Sequence, residues 1–230
     1  MKKGILLIED RVTRQEIYLS KFKIDLDSFD CLDNIKGGKR FIEIKKDLSN
    51  ANKLALEPYR SILAHRSALN QIEREFLYNY CKAEKKPLAF FSGGISSISY
   101  SDNEQFQFLS INANDFYSNK LPFFLNEAGS GNLKLVHLAF GQQWTLNLLL
   151  AFTNKLNSIR YEKEIETERI PTQILKSKLG LENSSLLELL NYWDALPNWL
   201  NDIMVINPIE KIELLQRKIN DVLLKVTLSL

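Results

Sequence analysis

Histidine and cysteine are scarce in this chain, two of each in 230 residues. With only His65 and His137 available, a His-rich zinc site is excluded. Cys31 and Cys81 form neither a C-x-x-C pair nor a disulfide framework. That usage suits a reducing cytoplasm. Long hydrophobic runs are also missing. The opening "MKKGILLIED" has two lysines but only a five-residue apolar run before Glu9, too short for a secretory signal. The greasiest region, "LKLVHLAFGQQWTLNLLLAF", is broken by Lys134, His137 and the Gly-Gln-Gln of 141–143. It falls short of the roughly 20 apolar residues a membrane span needs. The expectation is a soluble, cytoplasmic chain with no membrane partner. A net charge of +2 is too small to imply a polyanion. No G-x-x-x-x-G-K-[ST], G-x-S-x-G or G-x-G-x-x-G occurs, which removes the best-marked phosphate loops and nucleophile elbows.

What is present is ordinary globular material. Hydrophobic residues make up 45% and charged residues 25%. The length fits one large domain, or one domain with an appendage. "GILLIED" is a continuous apolar run ending in two acids, the pattern of a parallel strand buried on both faces. "RVTRQEIYLSKF" follows with Val12, Ile17 and Leu19 near helical spacing. "SFDCLDN" reads as a second strand, "GGKRFIEIKKDLSN" as a helix and "RSILAH" as a third strand. "ALNQIEREFLYNYCKAEKK" is the clearest helix, with Leu69, Ile72, Phe76 and Tyr80 as its stripe and Glu73, Arg74, Lys82 and Glu84 toward water. "PLAFFSGG" is the fourth strand and "QFQFLSI" the fifth.

Strands alternating with helices predict an α/β fold, a doubly wound parallel five-stranded sheet of flavodoxin type. Ligand sites in such sheets lie at the carboxyl ends of the strands. Glu9, Asp10, His65 and Ser92 share that address. His65 admits three readings: a core histidine satisfied by Glu9 or Asp10, a transition-metal ligand beside those acids, or a general base. Ser92-Gly93-Gly94 reads as a turn or as a backbone anion cradle. The same loop, continued through Ser97, loosely echoes the S-G-G-x-[DS]-S loop of ATP pyrophosphatases, with Ser96 where aspartate is usual.

Order and placement carry a broader likeness. "ILLIED", "SILAHRS", "LAFFSGG" and "NDFYSNKLPFFLNEA" resemble, in sequence, the first, third, fourth and fifth strand regions of the receiver domain of bacterial response regulators. The resemblance covers about half the chain. It implies that Glu9 and Asp10 match the magnesium-binding acid pair, Ser92 the phosphoryl-sensing hydroxyl and Lys120 the lysine of a Lys-Pro turn. Leu121 separates Lys120 from Pro122, and "ISSISYSDNEQ" makes a poor helix where receivers have one. The phosphate-accepting aspartate is replaced by His65. An imidazole cannot form an acyl phosphate and is a poor partner for Mg²⁺, which wants hard oxygen ligands. The resemblance therefore implies a pseudo-receiver, with no cofactor.

The division expected is a receiver-like α/β domain over residues 1–130 and an all-helical extension over 131–230. Here "SSLLELLNYW" carries a capping box, Ser185 with Glu188. "NPIEKIELLQRKINDVLLKV" opens on Asn207 as cap, with Pro208 at the first helical position. "TQILKSKLGLENSSLLELLNYW" has the outline of a helix-turn-helix. Its second helix, however, offers Leu186, Leu187, Leu189 and Leu190 where base readers would be polar, which argues against nucleic acid. Trp193 and Trp199, with Leu215, suit a protein partner or a second copy of the chain. The function expected is non-catalytic regulation or scaffolding through protein contacts in signalling or defence. The competing classes are an enzyme, a hydrolase or nucleotide-processing one, using Glu9, Asp10, His65 and Ser92, and a DNA-binding regulator.

Overall fold

The computed structural model describes residues 4–96, 98–103, 106–142, 144, 147, 213, 214, 216, 217, 220 and 221. The chain divides into two compact units, Met1–Gln142 and Gln143–Leu230. In the second, the described residues from 144 onward are helical. Trp193, Trp199 and Leu215 lie outside the described residues.

The first unit is an α/β structure built on a six-stranded, mostly parallel sheet. In chain order it runs β1 (Ile5–Glu9), α1 (Val12–Phe22), β2 (Leu32–Lys36), α2 (Gly38–Ser49), β3 (Ser61–His65), α3 (Gln71–Ala83), β4 (Leu88–Ser92), β5 (Ser99–Asn103), β6 (Phe106–Asn112), α4 (Ala113–Phe116), α5 (Lys120–Gly129) and α6 (Leu135–Phe140). The strands lie in the order β2-β1-β3-β4-β6-β5. All neighbours are parallel except β5 and β6, which are antiparallel. Strand alternation sends Leu6, Ile8, Ile62, Leu88, Phe90 and Phe106 to one face, where they form a core with Ile44 and Leu48 of α2 and with Leu77 and Tyr80 of α3. On the other face Tyr18 of α1 stacks on Tyr117 just after α4, with ring centroids 5.2 Å apart. There α4 packs on β4 and β6, and α6 packs on β6 and α5. Among the described residues no helix is long and apolar enough to cross a membrane.

Four local readings are corrected. The sheet has six strands rather than five, because the segment after β4 forms β5 at the sheet edge. Ser99, Tyr100 and Ser101 alternate exposed, buried, exposed, a two-residue period that low apolar content hides. The stretch matched to the receiver's fifth strand is helical, as α4 and α5. Leu121, Phe124, Leu125 and Ala128 are spaced i, i+3, i+4, i+7, and all four are fully buried. Pro122 is tolerated in the first turn of α5, where its missing N–H has no helical partner in any case. The stripe of α3 is rotated from the expected one. Ile72 is 72% exposed, while Leu77, Tyr80 and Cys81 are buried. Glu73 does not face water. It completes a capping box with Asn70 and meets Lys45 at 3.0 Å and Ser49 at 2.8 Å. In α1, likewise, Ile17 is exposed and Gln15 is the buried residue.

This rotation is measurable. Leu77→Ala should cost about 2–4 kcal/mol of stability, whereas Ile72→Ala should change it by less than about 0.5 kcal/mol. Urea unfolding of the two variants gives the comparison. Equal losses would mean that the stripe is the one expected from sequence.

Candidate functional site

The carboxyl edge of the sheet gathers four strand ends. Glu9 closes β1 and is followed by Asp10, His65 closes β3, Ser92 closes β4 and Asn112 closes β6. Glu9 is fully buried. An isolated carboxylate there would be costly, so its partners decide what the site is. Arg14, in the first turn of α1, bonds to Glu9 and to Asp10 with the same Nη2. The backbone N–H of Arg11 donates to Glu9 Oε1 at 3.3 Å, and the Tyr117 hydroxyl donates to Glu9 Oε2 at 3.2 Å. Behind them the Gln15 amide donates to Tyr117 Oη at 3.3 Å and exchanges two hydrogen bonds, of 3.0 and 3.1 Å, with Asn34 of β2.

The charges follow from this packing. Burial raises the Glu9 carboxyl above its ordinary range, against the pull of Arg14. Burial also pushes Asp10 upward, but its hydrogen bond with Glu9 and the Arg14 charge outweigh that and hold it low. Burial raises the Tyr117 hydroxyl well above 10.

His65 lies against this network. Its ring is buried. Nδ1 accepts the backbone N–H of Ser67 at 3.1 Å and stands 2.8 Å from the Ser67 hydroxyl. An accepting Nδ1 puts the proton of the neutral ring on Nε2. Nε2 is buried with no hydrogen-bond partner, and the ring meets Phe91 edge-on at 5.1 Å. Burial, followed by the positive charge of Arg14, pushes the His65 pKa down to about 4, although Asp10 opposes the shift. At neutral pH the imidazole is uncharged.

Glu9, Asp10 and His65 each offer one donor atom within 4.8 Å of the others. The magnesium site that the receiver resemblance implies does not fit them. Both carboxylates already hold the guanidinium of Arg14, and the third donor is a nitrogen where Mg²⁺ requires oxygen. The Asp10 oxygen nearest His65 is 4.0 Å from Nδ1.

The glycine loop after β4 is closed on itself. Gly94 N–H donates to Ser92 Oγ at 3.4 Å, and Ile95 N–H to the Ser92 carbonyl at 3.3 Å. Asn112 Nδ2 ties the loop down through the carbonyls of Gly93 and Ile95. Those two amides therefore point inward and not toward an anion. Lys120 is not at a strand end. It opens α5, 3.9 Å from Asp115. The residue in register with Ser92 at the end of β6 is Asn112. Arg14, Tyr117 and Asn112 were not singled out from sequence. Arg14 had a signal, since it follows Asp10 by four residues at a strand-to-helix junction. Tyr117 had none. No protein-family model, curated protein or solved structure matches this chain.

Two measurements test the network. His65 with a pKa of about 4 binds its proton less readily folded than unfolded, where the value is near 6.5. The unfolded state thus holds more protons between those values, and stability falls as pH drops from about 6.5 to about 4. The loss from this group should be at most about 3 kcal/mol. Urea melts across that window should show the slope, and His65→Gln should flatten it. Arg14→Met, in turn, leaves Glu9 without its counter-charge. It should cost about 2–4 kcal/mol at pH 7, less than a fully buried pair because the guanidinium is partly exposed. The loss should shrink as the pH is lowered and Glu9 takes up a proton. A cost that is the same at pH 5 and pH 7 would mean that Glu9 is not the group Arg14 neutralises.

Proposed function

We propose that this chain is a pseudo-receiver, a non-catalytic regulatory or scaffold protein that works through contacts with other proteins in signalling or defence. The observation that carries the reading is Arg14 lying across Glu9 and Asp10 beside a neutral His65. A phosphorelay pocket needs a divalent cation on its acid pair and a carboxylate nucleophile next to it. In this chain a side-chain cation sits on the acid pair, and an imidazole stands in the place of the nucleophile. The five parallel strands support the same reading. Their order, β2-β1-β3-β4-β6, is the flavodoxin-type doubly wound order. The partner, another protein or a second copy, would be engaged by the helical extension, with Trp193, Trp199 and Leu215 as contacts.

The test combines phosphodonor and assembly. The full chain, incubated with Mg²⁺ and acetyl phosphate or beryllofluoride, should keep its mass, its melting temperature and its sedimentation coefficient. A phosphorylated species, or a Mg²⁺-dependent change in either of the other two, would overturn the reading.

A further inference from the structure

The connection from β4 to β6 leaves part of one sheet face without a helix. α2 and α3 cover that face over β1, β3 and β4. After β4 the chain makes β5 instead of another helix. A groove of about 470 Å³ opens between α3 and the β4–β6–β5 side of the sheet, within the roughly 300–1,000 Å³ of small-molecule sites. Its floor is a row of three residues across three strands. Phe90 pairs with Ser110, and Ser110 pairs with Ser99. Phe108 lies two residues from Ser110 along β6, and Tyr78 of α3 meets it edge-on at 5.4 Å. Tyr78 keeps 37% of its surface exposed.

Two arginines stand at this groove. Arg74 is fixed in place, because its Nη1 donates to the carbonyls of Leu69 at 2.6 Å and Arg66 at 3.3 Å. Arg66 is exposed. Arg14 and Arg40 are paired with carboxylates. Among the described residues Arg66 and Arg74 have no such pair. Glu75, the acid of the groove, is bonded to Gln71 at 2.8 Å. Glu75 keeps its negative charge, so the two guanidiniums leave the lining one positive charge in excess, which favours an anion. The Nε–Nη2 edge of Arg74, not engaged by those carbonyls, matches two oxygens of a phosphate. Arg74 and Tyr78 are one helical turn apart and so share a face of α3. An anion held by the arginines would thus have an aromatic surface next to it. The hydroxyls of Ser99 and Ser110 can both donate and accept. Two serines beside Phe90 and Phe108 make a floor of mixed character, which suits a ligand with both a polar sugar and an apolar ring.

We infer that this groove binds a nucleoside monophosphate, with the phosphate on Arg66 and Arg74 and the base against Tyr78 and Phe108. Stacking on aromatic faces tolerates any base, so the arginine pair carries most of the affinity. The inference stands on the groove alone and needs nothing of the reading of the acidic pocket.

Calorimetric titration of the full chain with AMP, GMP, CMP and UMP is the test, with adenosine, inorganic phosphate and an unphosphorylated single-stranded oligonucleotide as controls. At least one monophosphate should bind one to one. Adenosine and phosphate alone should each bind at least about tenfold more weakly, since each lacks half of the contacts. Arg66→Gln, at an exposed position, should keep the melting temperature and weaken binding about tenfold, the loss of one charge-assisted contact. Ser110→Leu should fill the floor and abolish binding. If that variant does not fold, Tyr78→Ala reads the opposite wall and should weaken binding in the same way. The inference falls if no monophosphate binds at millimolar concentration, if binding survives Arg66→Gln unchanged, or if the oligonucleotide alone binds.

Discussion

The carboxyl edge of this sheet depends on one guanidinium. Glu9 is fully buried, and Asp10 follows it directly. Two adjacent acids at a strand end repel each other and resist desolvation, so something cationic must hold them. Arg14 does so from the first turn of the next helix, at the expense of fixing the start of α1 against the end of β1. The rest of the edge is arranged around that contact. Tyr117 and Gln15 satisfy the far side of Glu9 and reach Asn34 on the neighbouring strand. One buried polar chain thereby links β1, β2, α1 and the end of α4. Such networks are sound only when their members are satisfied. The two exceptions near this site are Arg14 Nε and His65 Nε2.

His65 is the counterpart of that arrangement. A third carboxylate in its place would add negative charge beside Asp10 and would draw a divalent ion toward the pocket. The neutral ring adds none, and the positive Arg14 nearby is one reason it stays neutral. The neutral ring and the tethered guanidinium are therefore physically coupled. With an imidazole at position 65, one tethered positive charge is enough. With one tethered charge present, a protonated imidazole is disfavoured.

Much of the fold was legible because buried parallel strands leave a strong mark. "ILLIE", "SILAH" and "LAFFS" are short apolar runs between turn signals, and each is a strand. The carboxyl-edge address of Glu9, Asp10, His65 and Ser92 followed from topology alone. What escaped was set by tertiary context. β5 has few apolar residues because one of its faces meets water. Around α5 the likeness of order, Lys120 followed by Pro122, points to a strand, whereas Leu121, Phe124, Leu125 and Ala128 carry a helical period. The face of α3 turned because Glu73 is held inward by Lys45 and Ser49 of α2, partners that periodicity cannot show. Arg14 escaped because a charged residue early in a helix usually means solvent, and only the burial of Glu9 changes that meaning.

The two outer strands bear on a different matter, the behaviour of the chain when crowded. β2 and β5 end the sheet on either side, and each is only five residues long. A long, flat, apolar edge is a template on which another molecule can add a strand, and repeated addition builds fibres. Here one edge carries Asp33 and Lys36, and the other reads Ser-Tyr-Ser-Asp-Asn. β5 also runs against the direction of the other five strands, so an added strand would meet it in a different hydrogen-bonding pattern from the one inside the sheet. Short, polar and reversed at one margin, the sheet ends where it does and offers little for a second molecule to continue.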